Sequence, residues 1–235
     1  MAHAARSLQQ GAITGCQAVY SGSNSVFMLS LAWNGHRVRA IYKPRDGEAP
    51  LWDFPDGTLY RREMAAYLLS EALGWQIVPP TVIRNGPLGV GAVQWFVNVP
   101  QRYDYRSLVS AHENGFKKIA TFDCLANNAD RKVGHCLVDD GHVWGIDHGL
   151  TFHSEPKLRT VIWDFAGQPI PNALVDDLKA LRNRFNTTDP LVRSLIRLLD
   201  RDEVQALYSR LSGLVQNAKF PIWSGSHRAV PWPPF

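Results

Sequence analysis

Turn signals and period-two alternation crowd into the first hundred residues of this 235-residue chain, and helical spacing dominates the rest. The sharpest of these signals is Asn34-Gly35, set between the strand-like runs Val26–Trp33 and His36–Lys43. A type I′ hairpin turn needs positive φ at both central residues, which Asn and Gly tolerate. In the second run Val38, Ala40 and Tyr42 alternate with Arg37, Arg39, Ile41 and Lys43, and Lys43 ends the strand before Pro44.

Downstream, Thr58 is an N-cap for a helix over Leu59–Leu73, with Gly74 as its stop and Met64, Tyr67, Leu68 and Glu71 at helical spacing. Pro79-Pro80 bars continuation. Two strands follow, Thr81–Arg84 and Ala92–Val99, joined through Asn85-Gly86-Pro87 and Gly89. Beyond Pro100 the pattern predicts a helix over Gly115–Asn127 and a short hairpin, Cys136–Val138 with His142–Ile146, around Asp139-Asp140-Gly141. Helices over Pro171–Phe185, Pro190–Leu199 and Arg201–Asn217 come next, then an irregular Pro/Trp-rich tail, Trp223–Phe235. Strands first and helices later define an α+β protein of two unequal lobes, 1–99 and 100–235, parting near Val99–Tyr103.

Composition narrows the function. Apolar residues are 45% and charged residues 20%, which excludes disorder, collagen and coiled coil for the whole chain. Lys plus Arg is 25 against 21 Asp plus Glu, a surplus of four that is scattered along the chain. One of the denser patches, Lys179–Arg184, falls on the solvated face of an amphipathic helix, so no nucleic-acid partner is expected. The cysteines, Cys16, Cys124 and Cys136, are odd in number and form no CxxC pair, against a disulfide framework. No stretch reaches the roughly 20 apolar residues of a membrane helix, and Met1–Gln10 lacks the apolar run of a signal peptide. A cytoplasmic protein without membrane insertion is expected.

The informative cluster is Asp123-Cys-Leu-Ala-Asn-Asn-Ala-Asp130-Arg-Lys-Val-Gly-His135, followed by Gly145-Ile-Asp147-His-Gly149. Asp130 and Asp147 lie in turn-like segments on either side of the short hairpin, which can fold both toward one point. Paired carboxylates suit a hard cation, one holding it while the other orients or deprotonates a nucleophile. Loop aspartates are common, and each alone reads as an ordinary turn residue. Lys43 and Glu63 add a second pair, a strand lysine able to reach a phosphate and a helix carboxylate able to steady it. Upstream, Ser21-Gly-Ser-Asn-Ser25 is a polar turn whose backbone N–H groups suit phosphate.

In this order the parts follow those of an ATP-dependent phosphotransferase. Ile41-Tyr-Lys43-Pro44, Arg62-Glu63, Gly74 with Val78-Pro79-Pro80, Asn128-Ala-Asp130-Arg131 and Ile146-Asp147-His-Gly149 resemble the phosphatidylinositol 3-/4-kinase-like superfamily, related to HipA-type kinases, and an actinobacterial family grouped with it. The resemblance spans about Ser21 to Gly149. It implies a protein-kinase-like fold with a small β-rich N-lobe and a helical C-lobe. It also implies transfer from ATP, with Mg²⁺ or Mn²⁺, to a protein or small-molecule hydroxyl. Lys43 would contact the α/β phosphates with Glu63 as ion-pair partner. Asp130 would orient or deprotonate the acceptor, and Asp147 would bind the metal. Ser23 and Asn24 would cover the phosphates, and Gln94, Trp95, Phe96 and Val97 would form the interlobe strand facing adenine. His135 stands where such kinases carry a second metal-binding Asn, and imidazole suits softer metals. Arg131 and Lys132 would add positive charge beside the transferring phosphoryl group.

Other readings remain open. His135 leaves room for a degenerate, nucleotide-binding regulatory homologue, and the same fold can transfer a nucleotidyl (AMP) group. His135, Cys136, His148 and His153 have zinc-binding identities without a known spacing. Trp52-Asp-Phe-Pro55 either touches a substrate or covers the small lobe. Asp123 reads as a buried support for the loop.

Overall fold

The Asn34-Gly35 turn closes with φ of 48° and 78°, and β2 (Val26–Trp33) pairs antiparallel with β3 (His36–Pro44), Trp33 opposite His36. The structure is a computed structural model that describes residues 2–19, 22–99, 104–224 and 228–235. β1 (Ala12–Val19), β4 (Thr81–Gly86) and β5 (Gly89–Trp95) complete an antiparallel sheet in the order β1-β2-β3-β5-β4. Ser21 of the polar turn lies outside the described residues, as do Pro100–Tyr103 at the expected lobe boundary.

The elements not expected from the sequence include α1 (Ala2–Gln10) and β1. Leu8 is fully buried with Leu29, Leu31, Ala40, Tyr42, Val82 and Val93, so the N-terminal helix supplies the sheet's core from a single large side chain. The Arg84 guanidinium fixes its end by donating to the carbonyls of Leu8 and Gly11, at 2.8 and 3.0 Å. Gly86 is required where the Tyr42 ring crosses the strand, because a Cβ there would lie 2.6 Å from the ring. The expected strand to Val99 stops at Trp95. The Phe96 N–H still reaches the Arg39 carbonyl at 3.2 Å, and the chain then leaves the sheet.

α2 (Leu59–Ala72) begins at Thr58 as expected, but not by the expected cap. The Thr58 hydroxyl turns back to the Pro55 carbonyl, and Glu48 caps the helix instead, accepting from the N–H groups of Leu59 and Tyr60 at 3.0 and 2.8 Å. A carboxylate does this better than a hydroxyl, because it also meets the positive end of the helix dipole.

The larger core joins α2 to α4 (Glu113–Ala126), α5 (Asn172–Arg184), α6 (Pro190–Leu198) and α7 (Arg201–Asn217), through Leu69, Ile77, Phe116, Phe122, Leu178 and Leu207 among others. A short helix, α3 (Tyr105–Ala111), and the hairpin β6 (Cys136–Asp139)/β7 (His142–Gly145) close its edge. The fold is thus mixed, β-rich first and helical after. Among the described residues no helix is long and apolar enough to cross a membrane.

Arg62 stitches the halves together. Its buried guanidinium donates to the Thr151 carbonyl and pairs with Glu203 of α7, both at 2.7 Å, over the Phe54 ring. Removing one partner of a buried pair leaves an uncompensated charge. Glu203→Ala is therefore expected to lose about 3–5 kcal/mol in denaturant unfolding, and Arg62→Met/Glu203→Leu to lose less. A double variant weaker than the single one would contradict this account of Arg62.

Candidate active site

Asp123 and Arg131 are both fully buried, and the site is built around them. The guanidinium grips the carboxylate with Nε on Oδ2 and Nη2 on Oδ1, each at 2.9 Å. Its Nη1 donates to the Ile146 carbonyl at 2.8 Å and the His135 carbonyl at 3.2 Å, and Nη2 donates to His148 Nε2 at 2.7 Å. Asn128 donates to Asp123 Oδ1 and accepts from the Asp130 N–H, both at 2.9 Å. Both site loops, after α4 and after β7, therefore fold onto one ion pair. Asp123 takes the supporting place expected of it. Arg131 does not face a phosphoryl group: its fork is sealed inside, wholly engaged in holding the loops.

Above this support, Lys43 Nζ bridges Glu63 Oε1 and, at 2.7 Å, Asp147 Oδ1. β3 supplies the lysine, α2 the glutamate, and the β7 loop the aspartate, in left-handed backbone with φ 60°. Burial lowers the pKa of the ammonium, but the two carboxylates overcome this and hold it above the usual lysine range. The Lys43 charge, with lesser help from His135, holds Asp147 well below the usual carboxylate range despite burial.

His135 and Asp130 complete the group. One oxygen or nitrogen from each of Asp130, His135 and Asp147 lies within 4.8 Å of the others. Burial pushes the His135 imidazole down to about 4, so the ring is neutral at pH 7. Its Nδ1 lies 2.9 Å from the Asp130 carbonyl, a contact that calls for the proton on Nδ1, and in that tautomer Nε2 turns a lone pair toward Asp147 Oδ2 at 3.2 Å. Two facing lone pairs repel, and a cation between them reverses the sign. The donor set thus fits a divalent ion, with imidazole favouring one softer than Mg²⁺. Asp130 pairs with Lys132 at 3.3 Å, yet burial pushes its carboxyl up to about 6.

The other candidates separate. Ser23 and Asn24 are exposed, and Asn24 Oδ1 accepts from the Ala49 N–H at 2.8 Å, tying their loop to the turn after Lys43. Gln94 is buried on Thr81, Val97 is buried, Trp95 is half-buried at the end of β5, and the Arg39 guanidinium lies 4.5 Å over the Phe96 ring. His148 is taken by Arg131, and His153 stands edge-on to Phe54, so the zinc-like identities do not form one set. Burial raises the thiol of Cys124, and that of Cys136 to about 12. Trp52 is 92% exposed under the Lys157 ammonium, whereas Phe54 is buried. The sequence reading missed Arg159, whose backbone is bonded on either side of Asp130, and Glu203; each is an ordinary surface-type charge until the fold places it.

A β-rich half, a helical half and a lysine–glutamate–aspartate cluster between them define a kinase-like fold. Similar solved structures include hydra Fam20 with sugar (17% identity, TM-score 0.60, 91% of this chain and 86% of that one). Others are the Golgi casein kinase with Mn/ADP bound (15%, 0.59, 92% and 75%) and the Helicobacter pylori proinflammatory kinase CtkA (12%, 0.54, 91% and 94%). The chain belongs to the family of Protein Rv2133c of Mycobacterium tuberculosis, being 37% identical over a 264-residue alignment that covers 97% of this chain and 94% of the other. No family model matches the sequence.

The Asp130 shift has a sign that can be tested without activity. The folded protein keeps this proton up to about pH 6, against an ordinary value of 3.8, so stability falls as pH rises through that window. In chelator, Asp130→Asn is expected to melt above the wild type at pH 7.5, with the gap closing as pH falls to about 4. A gap that does not change with pH would refute the buried-carboxyl assignment.

Proposed function

We propose that the chain is an ATP- and divalent-cation-dependent phosphotransferase that moves the γ-phosphoryl group to a hydroxyl acceptor. The carrying observation is Lys43 held between Glu63 and Asp147 with Asp130 and His135 alongside. The kinase neighbours, one of them with Mn/ADP, support the class. The motifs quoted from Ile41 to Gly149 favour the phosphatidylinositol 3-/4-kinase-like superfamily within it. The three cysteines are free, in keeping with a cytoplasmic protein.

In this reading residues 1–99 form the nucleotide-binding lobe and 100–235 the catalytic lobe. Asp147 and His135 would hold Mg²⁺ or Mn²⁺, which supplies charge neutralisation on the phosphates. Lys43 binds the α/β phosphates, oriented by Glu63. The loop at Ser23 and Asn24 covers the phosphates, and the backbone of Gln94–Val97 meets adenine. Asp130 accepts the proton of the acceptor hydroxyl as its oxygen bonds to the γ-phosphorus and the β–γ bridging oxygen leaves with ADP. A carboxyl with pKa about 6 is well matched to that transfer near neutral pH. Lys132, 3.3 Å from Asp130, adds positive charge beside the transferring phosphoryl group.

Phosphorus NMR of ATP turnover tests this reading. ADP with a phosphorylated acceptor is expected; pyrophosphate release would instead show nucleotidyl transfer. Lys43→Ala and Asp147→Asn should each lower the rate by roughly 10²–10³ or more. Asp130→Ala should abolish turnover and spare ATP binding. Full activity in any of the three would remove the role given to that residue.

A further inference from the structure

Most cations around the site carry a carboxylate partner. Lys43 has Glu63 and Asp147, Arg131 has Asp123, Lys132 has Asp130, and Lys157 has Asp53 at 3.1 Å with Glu155 at 3.8 Å. Arg159 is the exception: the residue is half-buried, and among the described residues its guanidinium meets neither a carboxylate nor a carbonyl. Its place is nonetheless well fixed. The Arg159 N–H donates to the Asn128 carbonyl at 2.9 Å, and its carbonyl accepts from the Arg131 N–H at 3.1 Å. The next residue, Thr160, forms a parallel bridge with Arg131. The backbone at Arg159 is thus laid alongside the loop that presents Asp130.

The charge acts there. Arg131 and Thr160 are both buried, so their neighbours Asp130 and Arg159 fall together on the opposite face of that bridge, whereas Lys43 pairs with Asp147. The two cations therefore serve different carboxylates. Lys43 stands at the proposed nucleotide phosphates, and Arg159 at the carboxylate proposed to receive the acceptor. A guanidinium on a fixed backbone, with no carboxylate in ion-pair contact, is a ready site for a bidentate carboxylate or phosphate.

We propose that Arg159 determines acceptor specificity, binding a carboxylate or phosphate that flanks the hydroxyl to be phosphorylated. This rests on the phosphotransferase reading, and names the acceptor as anionic. Arg159 would reach the acceptor's anion while Asp130 reaches its hydroxyl, so its loss weakens acceptor binding more than turnover. An arginine that instead neutralised the transferring phosphoryl group would lower kcat for every acceptor alike.

The test uses the full chain with Mn²⁺ and ADP and two fluorescein-labelled peptides of equal length. Each has one serine, flanked by glutamates in one and by lysines in the other. By fluorescence anisotropy the glutamate peptide is expected to bind about tenfold or more tightly than the lysine peptide. Arg159→Glu should abolish that preference and Arg159→Lys retain part of it, all three proteins melting alike. Glycerol 3-phosphate, added as competitor, should displace the glutamate peptide in proportion to how far a small phosphorylated acceptor uses the same site. In turnover, Arg159→Ala should raise the acceptor KM about tenfold with a smaller change in kcat. Equal binding of the two peptides, an unchanged preference in Arg159→Glu, or no binding of either peptide or of glycerol 3-phosphate would overturn the inference. Absence of ADP formation with any acceptor would remove the phosphotransferase reading, while the binding order would still decide the role of Arg159.

Discussion

The buried Asp123–Arg131 pair is the interaction on which the site depends. Taking two charges out of water is costly, and the cost is offset only where geometry is good and every remaining donor and acceptor is satisfied. Here the fork meets the carboxylate twice, and the remaining N–H groups are taken up by the Ile146 and His135 carbonyls and His148. Those partners come from two loops with no regular hydrogen-bond ladder of their own. The ion pair therefore does for the loops what a sheet does for strands: it sets where Asp130 and Asp147 stand relative to each other. A lysine could not do this, since it lacks the planar fork that reaches several acceptors at once.

A second buried pair carries the same logic across the molecule. Glu63 meets Lys43 of the sheet, and the adjacent Arg62 meets Glu203 of α7 and the Thr151 carbonyl. Successive residues of one helix thus face the β-rich half and the helical half. A rigid shift of α2 relative to either half would break one of these two pairs. The two halves are coupled through side chains fixed by charge as well as by the apolar face of α2.

Much of this was legible in the sequence, where local chemistry decides. Asn34-Gly35 demands positive φ whatever surrounds it, and α7 falls on the residues expected of it, Arg201–Asn217. The carboxylates Asp130 and Asp147 were marked by their turns, and the structure brings them together with Lys43, Glu63 and His135. What the sequence hid depends on tertiary placement. α1 buries essentially one large residue, Leu8, too sparse a pattern to announce a helix. Thr58 looks like a cap, but a carboxylate ten residues upstream outcompetes it. Arg131 sits beside Asp130 in sequence, yet the chain turns its side chain inward to Asp123. Arg159 carries no motif and gains its place only through backbone bonds to the Asp130 loop.

The proposed function requires a nucleotide to bind through a metal held by Asp147 and His135. Calorimetric titration of ATP into the purified chain, with Mn²⁺, with Mg²⁺ and with chelator, tests it most directly. Binding that requires metal, favours Mn²⁺ and is lost in Asp147→Asn is the predicted result. Binding of equal strength in chelator, or no binding under any condition, would contradict it.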